Sequence, residues 1–92
     1  MDGKSDGGHV LYVLECADGT FYAGYTNDLE RRIKTHNDGR GAKYTRARLP
    51  VRCIFHETYT TKREAMQAEY AFKQLRRDRK IDYMKENGGD GR

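Results

Sequence analysis

Tyr12, Tyr22, Arg32, His36 and Glu69 are the side chains of this sequence best suited to work on a phosphodiester. Breaking such a bond needs an activated water, neutralisation of the phosphate, a proton for the leaving oxygen and usually a divalent ion. Arg32 suits the phosphate, because a planar guanidinium donates in parallel to two oxygens. Glu69 suits the metal, since one carboxylate is enough for a Mg²⁺ (or Mn²⁺) ion that keeps most of its waters. Tyr12 can act as a general base only if nearby cations and a metal lower its pKa from the ordinary value of about 10. His36 can orient the water or protonate the leaving group, and residue type alone leaves both roles open.

These groups meet only if the backbone brings them together. Val10-Leu11-Tyr12-Val13-Leu14 and Phe21-Tyr22-Ala23-Gly24-Tyr25, separated by Asp18-Gly19, read as a β-hairpin. The unbroken apolar run predicts a first strand, His9 to Cys16, covered on both faces. A two-residue Asp18-Gly19 loop would send Tyr12 and Tyr22 to opposite faces. A three-residue Ala17-Asp18-Gly19 loop, with Gly19 left-handed in a bulge, puts both phenols on one face, and this is the loop expected.

A helix is expected from Asn27, with Asn27 capping and Glu30 reaching back. Leu29, Ile33 and His36 form its inward stripe, Arg32 borders that stripe, and Arg31 points away. The helix stops at Asn37-Asp38-Gly39. A long basic loop follows, in which Arg40, Lys43, Tyr44, Arg46 and Arg48 combine phosphate contacts with a stacking ring. Val51 to Tyr59 alternates as a third strand. Thr61-Lys62-Arg63-Glu64 is a capping box opening a second helix, on which Ala65, Ala68 and Phe72 face the core and Glu69 lies at the edge of their stripe. A carboxylate there calls for a cation or a metal. A third helix runs from Asp78 to Glu86, with Ile81 and Met84 inward.

Composition sets the bounds. Ninety-two residues, 36% hydrophobic and 35% charged, make one domain with a small core. No long apolar run or signal segment is present, so a cytoplasmic protein without membrane contact is expected. Cys16 and Cys53 lack zinc-ligand spacing and read as reduced thiols. Between Arg31 and Arg52 eight cations face Asp38 alone, the footprint of a polyanion partner. Each feature also has a plainer explanation: hairpin tyrosines as core, the basic run as a solvated face, Arg32 and Glu69 as a mere salt bridge. Joint occurrence favours the chemistry.

Tyr12, then Tyr22-Ala23-Gly24, then Asn27-Asp28-Leu29-Glu30-Arg31-Arg32 and His36-Asn37 resemble the GIY-YIG nuclease superfamily. Gly39-Arg40-Gly41-Ala42-Lys43-Tyr44-Thr45 and the short length resemble its small stand-alone bacterial branch of uncharacterised, nuclease-like proteins. The similarity spans Val10 to Leu75. It implies Tyr12 as base, Tyr22 supporting the nucleophile or phosphate, Arg32 on the phosphate, His36 assisting and Glu69 holding one metal. Asn87 is the candidate for the polar residue the family carries near the end of the domain.

The expected fold is α/β (α+β), in β-β-α-β-α-α order, with a small three-stranded, antiparallel-containing sheet flanked by helices. The domain spans 9–86, between disordered segments 1–8 and 87–92. The expected activity is metal-dependent DNA endonuclease action, structure-selective and linked to repair or recombination. A non-catalytic nucleic-acid-binding module is the alternative. DNA is the expected partner, with RNA a second option, a protein partner supplying specificity, and a monomer or weak dimer.

Overall fold

The computed structural model describes residues 8–88, so the expectations for 1–7 and 89–92 lie outside the described residues. The elements are β1 (His9–Glu15), β2 (Phe21–Thr26), α1 (Leu29–Asn37), α2 (Lys43–Arg46), β3 (Arg52–Tyr59), α3 (Lys62–Gln74) and α4 (Arg77–Gly88). The three strands form one antiparallel sheet in the order β2-β1-β3, flanked by helices. This is the expected architecture, with one short helix added.

β1 is the central strand, and all five residues from Val10 to Leu14 are buried. Val10, Tyr12, Leu14 and Cys16 pack with Val51, against Leu29 and Ile33 of α1. Leu11 and Val13 face the other way, with Ala23, Phe55 and Phe72, under α3 and α4. An apolar run without polar alternation is what a strand sandwiched between two helical layers requires.

The hairpin turns through the bulged loop. Tyr12 pairs with Gly24 and Leu14 with Tyr22, while Gly19 adopts φ 85°, the left-handed region that favours glycine. Asp18 accepts hydrogen bonds from the Thr20 N–H and hydroxyl. The register puts Tyr12 and Tyr22 on one face, with ring centroids 6.5 Å apart.

β3 departs from simple alternation. Val13 pairs with Phe55 but Leu14 pairs with Cys53, so Ile54 is an extra residue in the ladder. The bulge turns Val51 and Cys53 toward α1, and Phe55 toward α3 and α4. Both cysteines are free thiols.

Three local expectations need correction. Asp28, not Asn27, caps α1, accepting the Arg31 N–H at 3.3 Å. The Thr26 hydroxyl accepts the Asp28 N–H and holds that residue extended, which delays the helix by one position. The basic loop is not wholly irregular, because Lys43 to Arg46 turn into α2, with the Arg46 N–H bonded to the Ala42 carbonyl. Finally, α4 continues through Asn87 and Gly88, so these residues are helical.

α4 packs against the sheet through Tyr83 and Met84. The Tyr83 ring meets Phe55 and Phe72 edge-on, and its hydroxyl donates to Glu57 Oε1 at 2.6 Å. Tyr59 donates to the same oxygen at 2.6 Å. Burial and the shared carboxylate push the Tyr83 phenol up to about 12 and raise the Tyr59 phenol as well.

Candidate active site

A chain of hydrogen bonds runs through the first face of the sheet. Arg32 Nε–H donates to the Tyr12 hydroxyl at 3.3 Å, and Tyr12 lies 2.9 Å from His36 Nε2. His36 Nδ1 is 2.8 Å from Thr45 Oγ1, whose own proton goes to the Ala42 carbonyl at 2.9 Å. That last bond settles the tautomer. Thr45 has given its only proton to Ala42, so it accepts from His36 Nδ1–H, and the neutral ring presents Nε2 as an acceptor for the Tyr12 proton.

Burial sets the protonation states. Tyr12 is 1% exposed and His36 0%. Desolvation raises the Tyr12 phenol above its ordinary 10.0; the Arg32 guanidinium counters this, and the charges of Tyr22 and Glu69 add to it. Desolvation, with the positive charge of Arg32, lowers His36 below 6.5. Near neutrality the phenol therefore keeps its proton and the imidazole is free to accept it. Tyr12 as a base requires cations and a metal to lower its pKa; the Arg32 charge alone does not outweigh removal from water.

Local backbone features hold this arrangement. Asn37 at the end of α1 acts like a strand residue, donating to the Val51 carbonyl at 3.0 Å and accepting the Val51 N–H at 2.8 Å. This clamps the turn that carries His36 to the start of β3. Gly24 and Gly41 supply space: a Cβ at Gly24 would stand 2.6 Å from the Tyr12 hydroxyl, and one at Gly41 would collide with His36 Nδ1.

Tyr22 faces His36 edge-on at 5.4 Å and stacks on Tyr44 at 6.1 Å, with 22° between the ring planes. The structure thus brings Tyr12, Tyr22, Arg32, His36 and Tyr44 together. Arg31 is exposed, as expected of the outward member of its pair. Glu69 pairs not with Arg32 but with Lys73, one turn along α3, at 3.0 Å. Its side chain is 19% exposed, and its charge is felt at Tyr12. Arg32 has no carboxylate partner among the described residues.

The basic residues divide. Arg48 is committed internally: it donates to Asp18 and to the Tyr44 carbonyl, and its guanidinium lies 3.9 Å over the Tyr44 ring. Arg40 and Lys34 share Asp38. Lys43 and Arg46 are exposed and have no acidic partner among the described residues. Asn87 lies in a groove of about 930 Å³ between α4 and β3, and bonds to the Tyr83 carbonyl.

Sequence reasoning missed Thr45, Gly41 and Lys73 as site residues. Lys73 was detectable, because Glu69-x-x-x-Lys73 is the favourable i, i+4 orientation on a helix. Thr45 carries no such signal, being one hydroxyl within a basic stretch.

Oxygen donors at the site fit a hard divalent ion. Among the described residues no group of three or more His, Cys, Asp or Glu could form a cage, and a lone carboxylate matches Mg²⁺ that retains water. No described helix is long and apolar enough to cross a membrane.

Comparisons with known proteins agree with this geometry. Residues 8–86 match the GIY-YIG catalytic domain. A UPF0213 protein of Bacillus licheniformis is 61% identical over 83 residues, covering 90% of this chain and 86% of the relative. One from Bacillus subtilis is 62% identical over 78 residues, covering 85% and 79%. The solution structure of a UPF0213 protein from Bacillus halodurans aligns with a TM-score of 0.59 at 48% identity, covering 89% of this chain and 87% of that one. The solution structure of a protein from E. faecalis aligns with a TM-score of 0.59 at 52% identity, covering 84% of this chain and 82% of that one. With its catalytic-domain match spanning nearly the whole described chain, this protein belongs to the GIY-YIG family.

Proposed function

We propose that this protein is a divalent-metal-dependent endonuclease that hydrolyses DNA phosphodiester bonds. The observation that carries the reading is the buried relay Arg32–Tyr12–His36–Thr45, which pairs a phenol with a proton acceptor and a guanidinium.

In this reading Arg32 binds the scissile phosphate and in turning toward it uncovers the Tyr12 hydroxyl. Tyr12 passes its proton to His36 Nε2, and the Arg32 charge stabilises the tyrosinate. The tyrosinate takes a proton from the attacking water as the new P–O bond forms and the old one breaks. The leaving oxygen takes its proton from solvent; Tyr12 then releases to solvent the proton it took from the water and takes back the one held by His36, which restores the resting pair. Because His36 is fully buried and both its nitrogens are bonded, it acts through Tyr12 and does not reach the substrate. Tyr22 and Tyr44 wall the site and offer a ring to a neighbouring base. Glu69 would hold the metal, which supplies charge for the phosphate and lowers the cost of forming the nucleophile.

Lys43 and Arg46 provide sequence-independent attraction to the backbone. A preference for a DNA structure over a sequence, a repair or recombination role, a cytoplasmic setting and a specificity-supplying protein partner complete the proposal.

The direct test is cleavage of branched, single-stranded and linear duplex DNA with Mg²⁺ or Mn²⁺, comparing wild type with Glu69→Ala. Cutting that disappears in the variant while its fold persists supports the enzyme. Equal traces from both, or none from either, overturn it.

A further inference from the structure

Resting on the metal role proposed for Glu69, we infer that Lys73 is the resident counter-ion of that carboxylate. In this role it weakens metal binding to the free protein and is drawn off when a phosphodiester enters. Lys73 Nζ lies 3.0 Å from Glu69 Oε2, one helical turn away, and 5.7 Å above the Tyr22 ring centroid. Both partners border the site. The Lys73 side chain is 46% exposed against 19% for Glu69, so the ammonium can leave at the cost of a solvent-screened ion pair. The carboxylate is the more buried partner of the two.

A divalent ion at Glu69 meets a like charge a few ångströms away. Like charges this close repel even in bulk water, and the double charge of the ion doubles the repulsion. Removing Lys73 should therefore tighten metal binding about tenfold. A phosphate has the same effect without mutation, because its charge competes with Glu69 for the ammonium. Metal and DNA then favour one another's binding, with reciprocal coupling. Lys73 is a positioning residue in this scheme, since it acts through Glu69.

The experiment titrates Mn²⁺ into the full chain without DNA, reading free ion by electron paramagnetic resonance, for wild type, Lys73→Met, Lys73→Arg and Glu69→Gln. Lys73→Met should bind about tenfold tighter, Lys73→Arg like wild type, and Glu69→Gln at least tenfold weaker. A structural loss at position 73 would weaken binding, so tightening is a distinctive result. A second arm measures the affinity of a labelled duplex by anisotropy at constant ionic strength, with and without Ca²⁺. The gain due to Ca²⁺ should be several-fold in wild type and should shrink in Lys73→Met. Unchanged Mn²⁺ affinity in Lys73→Met, with loss in Glu69→Gln, overturns the counter-ion role and leaves the metal site standing. Unchanged affinity in Glu69→Gln overturns the metal site and this inference together.

Discussion

Tyr12 donates its phenolic proton to His36 Nε2 across 2.9 Å, between side chains that are 1% and 0% exposed. The bond joins the central strand to α1 and sits beneath Arg32. If it carries the proton during catalysis, Tyr12→Phe should lower the cleavage rate about 10²–10⁴-fold, the range for loss of a positioned acid–base group. The phenylalanine ring fills the same space, but leaves His36 Nε2 without its donor. Stability should fall by about 1–3 kcal/mol, the cost of an unsatisfied buried acceptor. Single-turnover cleavage and urea denaturation check the two parts separately.

The same pair sets a pH dependence. In the folded protein His36 lies below 6.5, chiefly through desolvation. As pH falls below that value the unfolded chain takes up the proton first, so stability is lost between 6.5 and the lower folded pKa. Above 6.5 the His36 contribution is fully present. Urea midpoints between pH 5 and 8 should show this acid-side loss in wild type and much less of it in His36→Gln. The acid limb of the cleavage profile should likewise lie below 6.5, because only the neutral ring accepts the Tyr12 proton.

Gly41 is irreplaceable for a reason of space. A Cβ there runs into His36 Nδ1, a ring atom fixed by the Thr45 hydroxyl. Gly41→Ala should cost about 1–3 kcal/mol, as overpacking does, and should disturb the ring that serves Tyr12. The expected result is a lower urea midpoint, together with a cleavage defect that remains under conditions where the variant is fully folded.

Asn37 offers a second structural test. Its carboxamide pairs with both backbone groups of Val51. Asn37→Ala leaves a half-buried carbonyl and N–H to find water, which predicts a loss of about 1–3 kcal/mol. Faster amide hydrogen exchange at the α1–β3 junction is the accompanying signature.

Lys43 and Arg46 should behave differently from Arg48. Without acidic partners, each of the first two is available to a phosphate. Lys43→Ala and Arg46→Ala should each reduce the salt slope of duplex binding by about 0.9, with little change in stability. Arg48→Ala removes the contacts to Asp18 and to Tyr44, and should loosen the loop instead. Anisotropy titrations over a range of salt, set beside thermal melts, separate the two outcomes.

The sequence by itself determined features that depend on local period and local backbone chemistry. An apolar run from Val10 to Leu14 demands two covered faces, and a bulged Ala17-Asp18-Gly19 turn dictates that Tyr12 and Tyr22 share one of them. Helical spacing separates Arg32 from Arg31, and a Thr61 cap opens α3. Which polar group meets which was decided by the tertiary structure. Thr45 reaches His36 because a short helix in the basic stretch folds over α1, and the Ile54 bulge redirects Phe55. Glu69 had a Lys in reach along its own helix as well as Arg32 across the sheet, and only the packed chain selects Lys73. The reason is physical: strand and helix periods are written in neighbouring residues, whereas a buried donor finds its acceptor through packing among distant segments. The protonation states of Tyr12 and His36 follow from that packing, since desolvation sets both.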